Sequence, residues 1–217
     1  MAKSHIESMI EWKERRGEHD RASILSYELR RLGHVWKEKA GDAPEFVDFM
    51  PMRIVTIIEV FVREVVRELV DAGNPYLQRA EQLAKGARLD FAMLSGLQGK
   101  KVSVGDLIAH TITVSEPARI ISYFESLIPD FLNRLRGSHE RWTEEREKWP
   151  LTPIIRDYEV MMKQLTRLFS VRHIVTHELP MEPTFDPAEI EEFLATAIEF
   201  VEAVSWLTVA ELKVAVP

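Results

Sequence analysis

The sequence predicts an all-α fold, a helical bundle, and three observations carry that expectation. Apolar residues recur at i, i+3 and i+4 along most of the 217-residue chain, while alternating strand patterns are hard to find. Gly and Pro fall between the periodic stretches, and Gly73 and Pro75 stand in the Gly-then-Pro order that stops a helix. Two stretches are preceded by a capping residue with an acid three positions on, Ser103 with Asp106 and Asp186 with Glu189.

Residues 4–40 are rich in Glu, Lys and Arg, with apolar positions at Ile6, Ile10, Ile24, Tyr27, Leu32, Val35 and Trp36. They read as two helices, broken near Gly17 and ended by Gly41. Residues 45–71 carry the clearest pattern: Ile54, Ile57, Ile58, Phe61, Val62, Val65, Val66, Leu69 and Val70 form one apolar stripe. Pro51 suits a first helical turn there, and Gly73 and Pro75 end the helix. A shorter helix is expected over 76–85, then a Gly-containing stretch over 86–101.

Ser103 and Asp106 cap a helix through Ile112. Pro117 opens a helix to about Arg136, which Pro129 kinks or divides. Residues 138–149 read as a charged helix ending before Pro150. Thr152 and Pro153 look like the cap and first residue of the next helix, which extends to about Glu178. After a loop marked by Pro180 and Pro183, Asp186-Pro187-Ala188-Glu189 starts the last helix, running to about Leu212. The expected organisation is an N-terminal helical extension over 1–48 and a helical domain over 49–217, or one continuous domain.

Apolar residues make up 46% and charged residues 29%, which suits a soluble globular chain, and cysteine is absent. Disulfides, thiol chemistry and cysteine-zinc sites are therefore excluded. The most apolar stretch, 193–210, is interrupted by Glu199 and Glu202, so no membrane association is expected. The N-terminus is charged from Lys3 and lacks a signal-like apolar run, so a cytoplasmic location is expected. Net charge is −7, but residues 178–217 hold nine acids and one base. The 26 acids and 27 bases before them nearly cancel, so an anionic partner has to be recognised locally rather than by bulk charge.

The densest polar chemistry is Ser170-Val-Arg-His-Ile-Val-Thr-His-Glu178. Arg172 is permanently charged and matches phosphate geometry. His177 is a candidate general acid or base near neutral pH. His173 and His177 lie about 40° apart around a helix and share a face. Arg172 and His177 lie about 140° apart, and converge only if the helix ends or distorts there, or if a second chain completes the site. The histidine pair lacks the Glu after the first His that a metalloprotease helix needs, since Ile174 sits there. No third ligand has a recognisable spacing, so no metal and no cofactor is expected. The remaining histidines (His5, His19, His34, His110 and His139) read as surface or packed residues.

Glu59, bracketed by Ile57, Ile58, Val60 and Phe61, is expected to be half-buried and to need a partner. Arg63/Arg67 and Glu64/Glu68 are spaced like a solvated helix face. Arg30-Arg31, Lys100-Lys101 and Arg134/Arg136 read as surface charge before RNA contacts. Trp12, Trp36, Trp142, Trp149 and Trp206 read as packing residues before base-stacking platforms.

Residues 170–178 resemble the signature of HEPN domains, the all-α "higher eukaryotes and prokaryotes nucleotide-binding" group. That signature is an Arg, four to six residues and then a His, the first of the residues between them usually being polar. Arg172, His173 and His177 stand in that order, with four residues between Arg172 and His177. The motif closes a long amphipathic stretch containing Leu165, Leu168 and Phe169, and a Pro-containing loop leads to a final helix. Residues 54–64 look like the early helix of such domains, with an acid after an apolar run. The resemblance covers about 49–212. It implies a HEPN-like bundle with additional N-terminal helices, acting as a metal-independent endoribonuclease, a toxin or antiphage-defence effector.

By that resemblance Arg172, His173 and His177 are the catalytic residues. Arg172 would bind and stabilise the phosphate, His177 would act as acid or base, and His173 would orient or share the proton transfer. Glu59, Arg63 and Thr176 are their expected neighbours. The implied partners are RNA, a second copy of the chain forming a composite active site, and an inhibitory protein. One departure stands out: some members carry a modifiable Tyr two residues after the His, where this chain has Leu179. Two other readings stay open, a non-catalytic HEPN-like interaction or regulatory module and a metal-dependent helical hydrolase.

Overall fold

In a computed structural model of the chain, residues 8, 10–11, 22–39, 46–84, 102–139, 153–178 and 184–215 are described. Every regular element among the described residues is helical, as the periodicity predicts. A 3-10 turn at Ala22–Ile24 leads into α1 (Leu25–Lys39), followed by α2 (Phe46–Asp71) and α3 (Tyr76–Arg79), which continues as a 3-10 turn at Ala80–Gln82. The later helices are α4 (Val104–Thr111), α5 (Pro117–Leu127), α6 (Phe131–Arg136), α7 (Tyr158–His177) and α8 (Glu189–Ala215). Gly17, Gly41, the 86–101 stretch, residues 140–152 and Leu179–Pro183 lie outside the described residues.

The helix α2 is the centre. It packs against α1, α4, α7 and α8. Ile54, Ile58, Phe61, Val62, Val65, Val66 and Leu69 are all fully buried. Each such side chain contributes about 1.5–3 kcal/mol relative to exposure. Pro51 lies inside the helix rather than in its first turn, because α2 begins at Phe46. Its ring is buried, and the missing N–H removes one backbone bond near the start, where a helix tolerates it best. Gly73 ends the helix region at φ 86°, a conformation that costs a Cβ-bearing residue energy.

The helix α8 lies alongside α2, with Phe200 meeting Phe61 edge to face at 6.5 Å. By length and composition 189–213 is apolar enough to cross a membrane, but 56% of its most apolar window is buried inside this bundle. Its apolarity goes into the core, through Ile190, Phe193, Ala197, Phe200, Val201 and Val204. The pairs Arg167–Glu189 and Gln164–Glu192, with the Arg156 N–H donating to Glu199, set α7 and α8 antiparallel.

The helix α1 buries Leu25, Leu29 and Trp36 in the same core. Ile24, Tyr27 and Val35, expected in the apolar pattern, are exposed instead. The Glu68 carboxylate accepts from the Ala22 N–H at 2.6 Å, and Arg30 pairs with Glu202. The described part of 1–48 is thus tied to α2 and α8, and α2 itself runs through position 48.

Ser103 and Asp106 form the reciprocal capping box that their spacing predicts. Pro129 divides α5 from α6, with Asp130 in the left-handed region at φ 56°. One cap differs from expectation. The helix α7 starts at Tyr158 with Asp157 as its cap, accepting from the Val160 N–H at 3.0 Å, not with Thr152 and Pro153. Residues 154–156 are held outside a helix: the Ile154 N–H donates to the Ser138 carbonyl, Ile155 is buried, and the Arg156 N–H is taken by Glu199. Ser138 and His139 are likewise not helical.

Candidate active site

The helix α7 buries Met161, Leu165, Leu168, Phe169 and Val171 on one side and exposes its opposite side. It remains α-helical through His177, and the Glu178 N–H closes the last turn onto the Ile174 carbonyl at 2.9 Å. The local geometry is therefore that of a straight helix at the motif. Arg172 and His177 point to different sides, as a five-residue separation requires. His173 and His177 lie together on the exposed side, their ring centroids 4.9 Å apart and their planes inclined at 50°.

Arg172 turns the other way, toward α2, and is half-buried. Its Nη2 stands 3.6 Å from the Glu59 Oε1. Glu59 is half-buried, as the apolar residues around it lead one to expect. Burial pushes its carboxyl above the usual carboxylate range, and the Arg172 and Arg63 charges oppose that shift. Arg63 sits one turn further along α2 and its Nη2 donates to the Ile112 carbonyl, at the end of α4, at 3.4 Å. A polar line thus crosses the bundle surface from α4 through Arg63 and Glu59 to Arg172. Thr176 is exposed, and its hydroxyl donates to the Arg172 carbonyl at 2.7 Å, so its hydrogen goes to the helix backbone.

The expectation of a solvated face at Arg63, Glu64, Arg67 and Glu68 is corrected. Glu64 is fully buried and receives Arg67 in a forked pair, at 3.0 and 2.9 Å. The cause is topological. With neighbours on several sides, α2 has its charged side covered by α4, whose Gly105 N–H donates to Asp71 at 2.8 Å. Buried charges then require partners.

Residues 184–189, at the start of α8, are held by a contact that the sequence did not point to. Glu189 accepts from the Asp186 N–H at 2.9 Å, as a capping residue, and also receives Arg167 at 3.0 and 3.2 Å. The Arg167 hydrogen bond, assisted by the Asp186 backbone N–H, holds the Glu189 carboxyl below the usual range. Arg167 also donates to the Thr184 carbonyl at 3.0 Å. The 22-residue separation leaves no local signal, although the cap identifies Glu189 itself.

The other basic candidates are engaged within the protein: Arg30 with Glu202, Arg31 with Glu28, Arg134 with Glu211 and Arg136 with Glu159. Trp36 is buried against Phe46, and Trp206 is half-buried. Lys100, Lys101, Trp12, Trp142 and Trp149 lie outside the described residues. Among the described residues no group of three His, Asp or Glu side chains is placed to hold a metal ion.

The arrangement offers two exposed imidazoles for proton transfer and, one residue before them, a guanidinium braced against a carboxylate. No protein-family model, no curated protein and no solved structure matches this chain.

Proposed function

We propose that the chain is a HEPN-type endoribonuclease that cleaves RNA without a metal ion. The observation that carries this reading is an exposed His173–His177 couple at the end of α7, with Arg172 of the same turn set against Glu59 on the side toward α2. One imidazole takes the proton of the RNA 2′-hydroxyl. The 2′-oxygen then attacks its own phosphorus, and the bond to the 5′-oxygen breaks as the second imidazole donates a proton to it. The products are a 2′,3′-cyclic phosphate and a 5′-hydroxyl, and no water is consumed. His177 is assigned the acid or base step, with His173 as its partner. Arg172 stabilises the extra charge on the five-coordinate phosphorus.

Within one copy Arg172 and His177 face apart. A two-fold dimer that sets two α7 helix ends against each other would supply Arg172 from one copy and His177 from the other. This matches the composite site that the resemblance to HEPN domains implies. A toxin or antiphage-defence role, with an inhibitory protein to restrain it, follows from the same resemblance.

A second reading has one observation in its favour. Arg172 already has a carboxylate partner, so the motif also works as a brace between α2 and α7 in a non-catalytic interaction module. Incubation with single-stranded RNA in excess EDTA separates the two. Cyclic phosphate and 5′-hydroxyl ends support the nuclease. Intact RNA, or cleavage that EDTA abolishes, overturns it.

A further inference from the structure

Glu159, Lys163, Thr166, Ser170, His173 and His177 are all exposed on α7. Their spacing alternates between four and three residues. After 18 residues the helix has made five turns and returned to the same direction. They form one straight strip about 27 Å long, with the two imidazoles at one end. We propose that this strip seats the RNA strand beside the cut phosphate, with Lys163 and Ser170 as its phosphate contacts. The inference rests on the nuclease reading above and extends it to the path of the substrate.

Three features of the strip support this seat. Its six side chains are polar, with the exposed Val160 as an apolar flank beside Lys163, whereas the core of a protein–protein interface is apolar throughout. Lys163 has no carboxylate partner, and the Ser170 hydroxyl no hydrogen-bond partner, among the described residues. The reason lies one turn back. Glu159 is the natural i−4 partner of Lys163, but it is taken by Arg136 at 3.1 Å. The ammonium is left for an anion from outside. At the far end, the Arg136 guanidinium lies 4.4 Å over the Tyr158 ring while its side chain stays half-exposed. Held there, its charge lies within reach of an unpaired base beside the Tyr158 ring.

The polarity of the strip also agrees with the chemistry. Substrate held along Lys163 and Ser170 delivers a phosphate to the imidazoles at the helix end. The contacts are to backbone charge and to any base face, so the strand is gripped with little sequence preference.

The test is binding of a 2′-O-methyl oligoribonucleotide of about twelve residues, which cannot be cleaved, measured by fluorescence anisotropy against salt. Lys163→Glu is expected to raise Kd by about tenfold, and Lys163→Gln by less, with the dependence of log K on log salt shallower by roughly 0.7 for the lost contact. Lys163→Arg should restore binding. The proposal is overturned if the parent does not bind, if Lys163→Glu binds like the parent, or if Lys163→Glu changes the sedimenting mass, since the strip would then be a face between copies. Cleavage plays no part in this readout. Failure of the nuclease reading shows separately, as RNA cleavage by His177→Ala equal to that of the parent.

Discussion

The Glu59 carboxylate stands 3.6 Å from the Arg172 guanidinium, across the contact between α2 and α7. Burial raises the Glu59 pKa more than Arg172 and Arg63 lower it. The charged form is therefore tolerated rather than favoured. A carboxyl raised in the folded state stabilises the fold at acid pH, and that stability is lost as pH rises through its folded value, above the usual 4.5. Glu59→Gln should leave Tm near pH 7 unchanged or slightly higher and flatten stability over that window. RNA cleavage should fall about tenfold, on the order of 1.4 kcal/mol of lost transition-state stabilisation, as Arg172 loses its brace. A purely structural brace would give a lower Tm instead.

The contact between α4 and α2 is set by a missing side chain. A Cβ on Gly105 would lie 2.5 Å from the Arg67 carbonyl oxygen and 2.7 Å from the Asp71 carboxyl carbon. The carbonyl belongs to the central helix and cannot swing aside. Gly105→Ala should cost about 1–3 kcal/mol, as other overpacked sites do. Urea unfolding checks it: the midpoint should drop with the slope unchanged.

At the far end of α8, the Tyr76 hydroxyl donates to Glu211 at 2.9 Å, and Arg134 pairs with the same carboxylate. Burial, followed by that hydrogen bond, pushes the phenol up to about 12. The unfolded phenol ionises near 10, so stability present below that value is lost as pH rises toward 12. Tyr76→Phe should destabilise the fold at pH 7 by about 1.5–3 kcal/mol, the range for a hydrogen bond to a charged group. It should also remove the alkaline limb between pH 10 and 12, which thermal melts across that range would show.

The composite site makes a prediction about mixtures. Arg172→Ala and His177→Ala should each be inactive alone. A dimer containing one copy of each retains one site with both groups intact and one site with neither. Random re-pairing should restore about a quarter of the parent activity, since half the dimers are mixed and each has one of two sites. Activity that stays at zero after verified subunit exchange would place both groups of a site in one copy.

Much of the helix order was legible because it is written locally. The stripe from Ile54 to Val70, the Ser103–Asp106 box, the Pro129 break and the Asp186–Glu189 start each lie within one helix or one turn. What was misread depends on neighbours distant in sequence. Asp157 caps α7 in place of Thr152 because Ser138, Ile155 and Glu199 hold 154–156 out of the helix. Glu64 reads as a surface residue from its spacing, yet α4 covers it. The residues of 170–178 were legible as a chemical cluster. The partnership of Arg172 with Glu59, 113 positions away, was open to expectation on two grounds: the apolar residues around Glu59 imply a need for some partner, and the resemblance makes Glu59 a neighbour of the motif. The Arg167–Glu189 clamp had no local signal at all.

The most direct test of the account is the rate of RNA cleavage in EDTA by the parent, His177→Ala and Arg172→Ala, each shown to be folded by its thermal melt. The parent should cleave, leaving 2′,3′-cyclic phosphate ends, and each variant should lose at least about a hundredfold, the scale of a removed acid–base or charge-stabilising group. Cleavage by His177→Ala and Arg172→Ala at the parent's rate would contradict it.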